Sequence, residues 1–335
     1  MSGERQAVLE RLRSDARFVL LAHESPDGDA IGSLVATQGL LTALGKDSVM
    51  YVSPADLPLA GEYRALSLGG LVKTIPADVA ERTVIFLDCG NIDRNSAAPA
   101  VAAAANTINI DHHHDNTRFG TVNLVEPGAS CTAEIIWGLA GELGVSLTRD
   151  MCEALYIALI TDTGRFMYDN TTSRSHMMAA DLLSQGVDVE GVYRRLYEDM
   201  PTARLELLAI ALGRIERYDF GVISMTTLAA DDFRAVEADE SHSEGVIDEL
   251  RKLGGTKVAA FVREVMSGPH EGQWKVSLRA TDDDVDVSLI AREQGGGGHR
   301  RAAGFVTTLP HEELVAFLRG AVALQLDGTP AATVG

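Results

Sequence analysis

At 335 residues, 46% of them hydrophobic, the chain is too long for one core and too apolar to be disordered, so two domains are expected. A formal net charge of −19 excludes a surface that grips long duplex nucleic acid by charge alone, and any polyanion bound must meet a local basic pocket. Cys89, Cys131 and Cys152 are odd in number and lack CxxC spacing, which argues against a disulfide framework or a structural zinc knuckle and fits a reducing cytoplasm.

The opening stretch, residues 1–18, is charged and amphipathic with no signal-peptide apolar core, and no later run reaches transmembrane length; no membrane contact is expected. Residues 17–22 form a short apolar run that ends at a polar, glycine-containing turn, and a periodic stretch over 30–44 closed by Gly45 follows. This reads as strand, loop, helix. The same grammar recurs with strands over 48–52, 83–87 and 107–110 and an alanine-rich helix over 97–105. Strands alternating with helices predict an α/β fold built on a doubly wound parallel sheet. Helical periodicity over 131–143, 149–162, 173–185, 188–198 and 202–213 closes this domain and links it to the next. Strand-like runs at 218–225, 257–265 and 273–280, with helices near 243–253 and 285–293, predict a smaller α+β domain. The expected divisions are a catalytic domain over 1–187, a helical linker over 188–215, a second domain over 216–325 and a frayed tail over 326–335.

In LAHESPDGDAIGS (21–33) the first strand delivers His23, Asp27 and Asp29 to the sheet edge where open α/β folds bind ligands. Asp27-Gly28-Asp29 also reads as a turn leading into a helix cap. IFLDCG (85–90) places Asp88 at the end of a second strand, and NIDHHHDN (109–116) places Asp111, His112, His113 and His114 at the end of a third. Asp162 in LITDTGRF (159–166) ends a helical stretch. Two imidazoles and four carboxylates from four segments suffice for two divalent ions with one shared aspartate, and the nitrogen–oxygen mixture favours Mn²⁺ over Mg²⁺. Cys89 invites a nucleophilic reading, but a cysteine at a buried strand end is usually structural and no partner base is evident.

These residues resemble the DHH phosphoesterase family, whose motifs occur in order as HESPDGD, LDCG, DHH and TDTG, while KVSLRATDDDVDVSLIAREQGGGGHRRAAG (275–304) resembles the DHH-associated domain. The likeness is strongest to the NrnA-type enzymes. It implies that His23 and Asp27 bind one Mn²⁺, that Asp29, His112 and Asp162 bind the other, and that Asp88 bridges. It further implies that Asp111 orients His112 and that His113 stands beside the scissile phosphate; His114 has no assured role. The expected reaction is attack by a hydroxide activated between two metals on short oligoribonucleotides (nanoRNA) or on 3′-phosphoadenosine 5′-phosphate (pAp), with linear or cyclic di-adenylates as alternatives. Recognition is expected in the second domain. Consecutive glycines Gly296, Gly297 and Gly298 free backbone N–H groups to converge on an anion, with His299, Arg279 and, less directly, Arg263 as phosphate or base contacts. Arg300 and Arg301 could add charge there, and the acidic run over 282–286 reads as a solvated turn and cap. A family II pyrophosphatase lacks this glycine-rich loop, a RecJ-like exonuclease is longer, and a nucleotide sensor without turnover would have lost ligands. The oligomeric state stays open, a homodimer among the options.

Overall fold

The computed structural model describes residues 3–57, 59, 63, 66, 68–95, 97–198 and 200–327, with Ala55, Arg94 and His299 described by their backbone alone. The chain divides into two compact units, Met1–Asp199 and Met200–Gly335.

The first unit is a six-stranded sheet formed by β1 (Arg17–Ala22), β2 (Asp47–Tyr51), β3 (Leu71–Val72), β4 (Thr83–Leu87), β5 (Asn106–Asp111) and β6 (Val122–Val125). The order is β3-β2-β1-β4-β5-β6, and every pairing is parallel. Helices α1 (Gly3–Ser14), α2 (Gly28–Ala43), α3 (Ala98–Val101), α4 (Thr132–Leu143), α5 (Arg149–Asp162), α6 (Ser173–Ser184) and α7 (Val189–Tyr193) complete it. Alternation along β1 and β4 explains the continuous apolar runs: Phe18, Leu20, Ile85 and Leu87 face one core while Val19, Leu21, Val84 and Phe86 face another. The expected parallel, doubly wound sheet is present. Its two short strands β3 and β6 carried no readable period, and the alanine-rich 97–105 stretch yields only the four-residue α3, because alanines supply helix propensity but little apolar area to hold a long helix on the sheet.

The second unit has the order β11-β12-β10-β9-β8-β7, from β7 (Glu216–Tyr218), β8 (Ile223–Leu228), β9 (Val258–Glu264), β10 (Trp274–Ala280), β11 (Gly297–His299) and β12 (Ala302–Thr307). Only β8 and β9 run parallel. Helices α8 (Thr202–Gly213), α9 (Ala230–Ala235) and α10 (Val246–Arg251) pack on one face, and α11 (Val287–Glu293) and α12 (His311–Asp327) on the other. The single strand expected over 218–225 is broken at Asp219, Phe220 and Gly221, whose positive φ angles turn the chain between β7 and β8. The acidic run does end in a cap, Asp286 accepting from the Ser288 amide.

The segment 188–215 divides between the units: Val192 joins the first core, and Leu207 and Ala211 join the core of the second. Residues 328–335 of the expected frayed tail lie outside the described residues, and α12 runs through Asp327. No helix among the described residues is long and apolar enough to cross a membrane.

The close approach of α2 to α5 depends on small residues. A Cβ at Gly32 would lie 2.4 Å from the Ala154 carbonyl oxygen, and one at Gly28 would strike Thr161. Gly32→Ala is therefore expected to lower unfolding free energy by about 1–3 kcal/mol. Gly141→Ala on α4, where a Cβ meets open space, is expected to raise it by about 0.5–1 kcal/mol, both read from urea midpoints at constant m.

Candidate metal centre

The sheet order reverses between β1 and β4, and open α/β sheets bind ligands at the carboxyl ends of the strands flanking such a point. His23 follows β1 directly, Asp88 follows β4, and His112 and His113 follow β5. Asp88 is buried and adopts φ +54°, a left-handed conformation that an aspartate tolerates better than most residues and that turns its carboxylate out of the strand. Asp27 caps α2, its Oδ1 accepting from the Ala30 amide at 3.1 Å, so the cap reading was correct and does not exclude a second use. Asp29 sits in the first turn of α2, and Asp162 is the last residue of α5.

Donor atoms from these elements converge. His23, Asp27 and Asp88 form one group within 4.8 Å, and Asp88, His112 and His113 form another. His23 Nε2 lies 3.5 Å from Asp88 Oδ2 and 3.9 Å from Asp27 Oδ1, while His112 Nε2 lies 3.6 Å from Asp88 Oδ1 and 3.8 Å from Asp162 Oδ2. Such separations exceed a hydrogen bond but suit ligand atoms each about 2 Å from a common cation. The other ring nitrogens are engaged by carbonyls: His23 Nδ1 by Glu24 O at 2.7 Å and His112 Nδ1 by Ala129 O at 3.4 Å. A proton held there leaves each Nε2 lone pair free for a metal. The residues thus fit a centre that binds divalent ions, with Asp88 common to both groups.

The N-terminus of α4 points at the same acids. Asp29, fully buried, accepts from the amides of Thr132 at 2.7 Å and Ala133 at 3.0 Å, and Thr132 Oγ1 donates to Asp88 Oδ1 at 3.1 Å. Unpaired amides and the helix dipole favour negative charge there. They do not cancel the crowding: burial, with Asp88 and Asp162 close by, pushes the Asp29 carboxyl up. Burial also raises Asp162 to about 6 against the pull of His112. Burial opposes a charge on His23, yet Asp27 and Asp88 together raise it to about 10.

Asp111 does not orient His112. Asp111 Oδ1 meets His113 Nδ1 at 2.8 Å and raises that imidazole to about 9, while His112 turns its Nδ1 to the Ala129 carbonyl; both rings border Asp88 Oδ1, at 3.6 Å each. Asn116 and Asn109, neither singled out in the sequence, brace this corner: Asn116 Nδ2 donates to Asp111 Oδ2 and to Asn109 Oδ1. His114 is exposed. The Cys89 thiol is buried and donates to the Asn91 carbonyl, a structural role. Sequence reasoning also missed Thr132 and Asn170; the hydroxyl-rich GASCT leading into α4 was the available signal for the first.

In the second unit, register decides which side chains share a face. Lys275 pairs with Arg263, Ser277 with Gly304 and Phe261, and Arg279 with Ala302, which pairs in turn with His299. Arg263, Lys275, Arg279 and the His299 position therefore lie on one side of the sheet, and the first three line a cavity of about 380 Å³ with Ser277, Phe261 and residues of the 240–248 segment. Arg263 is committed to Glu240 at 2.5 Å. Lys275, which the sequence did not single out, has no carboxylate within 4 Å among the described residues, nor has Arg279; burial and Arg263 lower the lysine's pKa. The glycine run is not the open loop expected: Gly297–His299 forms edge strand β11, and a Cβ at Gly296 or Gly298 would strike the backbone of β12. Gly297 alone of the three faces open space. Arg300 and Arg301 are tied to Asp283.

Comparison with known proteins agrees with this layout. Residues 17–159 match the DHH family, N-terminal domain, and residues 229–323 match the DHHA1 domain. The bifunctional oligoribonuclease and PAP phosphatase NrnA of Thermus thermophilus is 32% identical over 302 residues, covering 89% of this chain and 86% of the relative. The protein of that name from Bacillus subtilis is 23% identical, covering 86% and 88%. Among solved structures, an exopolyphosphatase-related protein from Bacteroides fragilis superposes with a TM-score of 0.86 at 23% identity over 97% of this chain and 96% of that one. Manganese-bound exonuclease RecJ gives a TM-score of 0.54 at 14% identity, covering 98% and 96%. Fold, convergent donors and matched domains define a phosphoesterase. The chain belongs to the DHH family.

With Asp27 and Asp88 raising the His23 imidazole to about 10, an ion taken up through its Nε2 is expected to displace a proton. Metal affinity is expected to rise with pH until His23 deprotonates near 10. Titration calorimetry in buffers of different ionisation enthalpy should show release of about one proton or more at pH 8; pH-independent affinity would contradict His23 as a ligand.

Proposed function

We propose that this enzyme is a Mn²⁺-dependent phosphoesterase that hydrolyses short oligoribonucleotides to mononucleotides and pAp to AMP. The observation that carries the reading is the pair of donor groups joined at Asp88 on the carboxyl edge of the sheet. The names of the Thermus and Bacillus relatives support the substrate class, and the manganese in the RecJ structure supports the metal.

In this reading His23 and Asp27 hold one ion, Asp29, His112 and Asp162 hold the other, and Asp88 is shared. The bound pair supplies the charge that activates water and steadies the phosphoryl oxygens. Asp88 keeps both groups in register through its two oxygens, each of which faces a different imidazole. Asp111 holds His113 protonated at the rim of the cluster, suited to neutralising phosphoryl charge or protonating the leaving oxygen. The α4 amides keep Asp29 fixed and exclude water from its buried side. In the second unit Arg279 and Lys275 are the cations left to meet substrate phosphate, joined by the His299 position and the free edge of β11 beside Gly296, Gly297 and Gly298, with Arg263 holding the 240–248 segment through Glu240. The three buried free cysteines suit action in a reducing cytoplasm.

Purified protein with Mn²⁺ is to be offered pAp, pyrophosphate, pApA, cyclic di-AMP, and RNA from dinucleotides to long single strands. The highest kcat/KM is expected on dinucleotide RNA and pAp; preference for pyrophosphate, cyclic di-AMP or long RNA would change the substrate class. Asp88→Ala is expected to lower kcat by more than about 100-fold, the upper end for losing a mere outer partner of a metal site. Gly297→Ala, with open space for its Cβ, is expected to leave Tm unchanged but raise KM several-fold. Gly298→Ala, at φ +136° and with its Cβ 2.5 Å from the Ala302 carbonyl oxygen, is expected to destabilise by about 1–3 kcal/mol. A wild-type KM in Gly297→Ala would remove this strand from recognition.

A further inference from the structure

We infer that Asn170 is a positioning residue that orients Asp162 toward the metal centre, an inference that rests on Asp162 being a ligand as proposed above. Asp162 closes α5, where the last carbonyls of a helix have no partners within it. The next residues do not lead away from the site. Gly164, Arg165 and Phe166 all adopt positive φ, at 53°, 63° and 65°, and two of them are not glycine. Such a run is costly and persists only where its surroundings over-determine it.

The surroundings do so. The Arg165 amide donates to Ile160 O at 2.7 Å, and its guanidinium lies 4.9 Å from the centroid of the Tyr197 ring. Phe166 stacks on His176 with centroids 4.9 Å apart and planes 23° from parallel. This tight reversal brings Asn170 back beside the residue from which the turn began. Its Nδ2 donates to Asp162 Oδ2 at 3.1 Å, to Asp162 O at 3.1 Å and to Ser130 O at 2.9 Å. The amide orientation follows from those partners, because the reversed one would set Oδ1 against two carbonyls and a carboxylate.

Two consequences bear on the site. Ser130 leads into α4, whose first residues hold Asp29 and Asp88, so Asn170 ties the end of α5 to the start of α4. The oxygen that Asn170 holds is also the one facing His112 Nε2 at 3.8 Å. With one lone pair engaged by the amide, the other is aimed for ligation, the arrangement by which outer partners orient carboxylate ligands. A simple loop staple would make the Ser130 contact but would not need to hold Oδ2.

The test is a calorimetric Mn²⁺ titration of Asn170→Ala, Asn170→Ser and Asp162→Ala beside the parent protein, with thermal unfolding measured without metal. Both Asn170 variants are expected to bind one of two Mn²⁺ equivalents roughly 10–100-fold more weakly. Their kcat on a dinucleotide should fall at limiting Mn²⁺ and recover in excess, with KM unchanged. Wild-type Mn²⁺ affinity in either folded Asn170 variant would overturn the inference, even if its metal-free Tm is lowered, since that pattern belongs to a staple alone. Should the alanine variant fail to fold, the serine variant decides. If Asp162→Ala loses one equivalent while both Asn170 variants keep two, positioning by Asn170 alone is rejected. If Asp162→Ala keeps both, the ligand reading falls and this inference with it.

Discussion

The constraint on which the first unit depends is electrostatic: four aspartates from three segments are gathered in one corner. Asp29 and Asp88 are almost fully buried, and the carboxyls of Asp29 and Asp162 are driven up by burial and by neighbouring carboxylates, Asp88 among them for both. A buried carboxylate without compensation is expensive. The surrounding architecture supplies compensation from three directions: imidazoles at the ends of β1 and β5, amides at the start of α4, and the Thr132 hydroxyl. What these leave unbalanced is the charge that a divalent ion brings.

Such a cluster is useful only if its distances are fixed, and the helices behind it fix them. Asp27 and Asp29 ride on the start of α2, and Asp162 on the end of α5. Gly28 and Gly32 let these helices approach until backbone touches side chain, a contact that one methyl group would open. Helix packing directly behind the cluster thereby sets the spacing of the donor atoms. The same logic appears in the second unit, where Gly296 and Gly298 let β11 settle against β12 and leave the intervening glycine facing outward.

Much of this was legible in the sequence because two periodicities and a few polar residues at strand ends carry the information. Strands β1 and β4 are apolar runs buried on both faces and β5 alternates isoleucine with polar residues, and each leads to a residue that burial alone would not select: His23, Asp88, Asp111. What escaped notice depends on long-range geometry. The histidine that meets Asp111 is His113 and not the expected His112, because the chain has left the strand at 112 and only its fold there shows which imidazole reaches the carboxylate. Nothing in the sequence marks Lys275, which only the register puts opposite Arg263, and the glycines read as a loop because their pairing with β12 is not local. Asn170 could not be read at all, since the left-handed turn that returns it to Asp162 has no short sequence signature.

Asp27 serves the chain twice, as the cap of α2 and as a donor facing His23, through the same oxygen. Were Asp27 to hold an ion as proposed, helix start and ion occupancy would be linked, because the oxygen that meets the Ala30 amide is the one that would meet the ion. In the proposed reading, release of the ion would leave that oxygen to the helix alone, so the firmness of the first turn of α2 would bear on how readily the ion comes and goes.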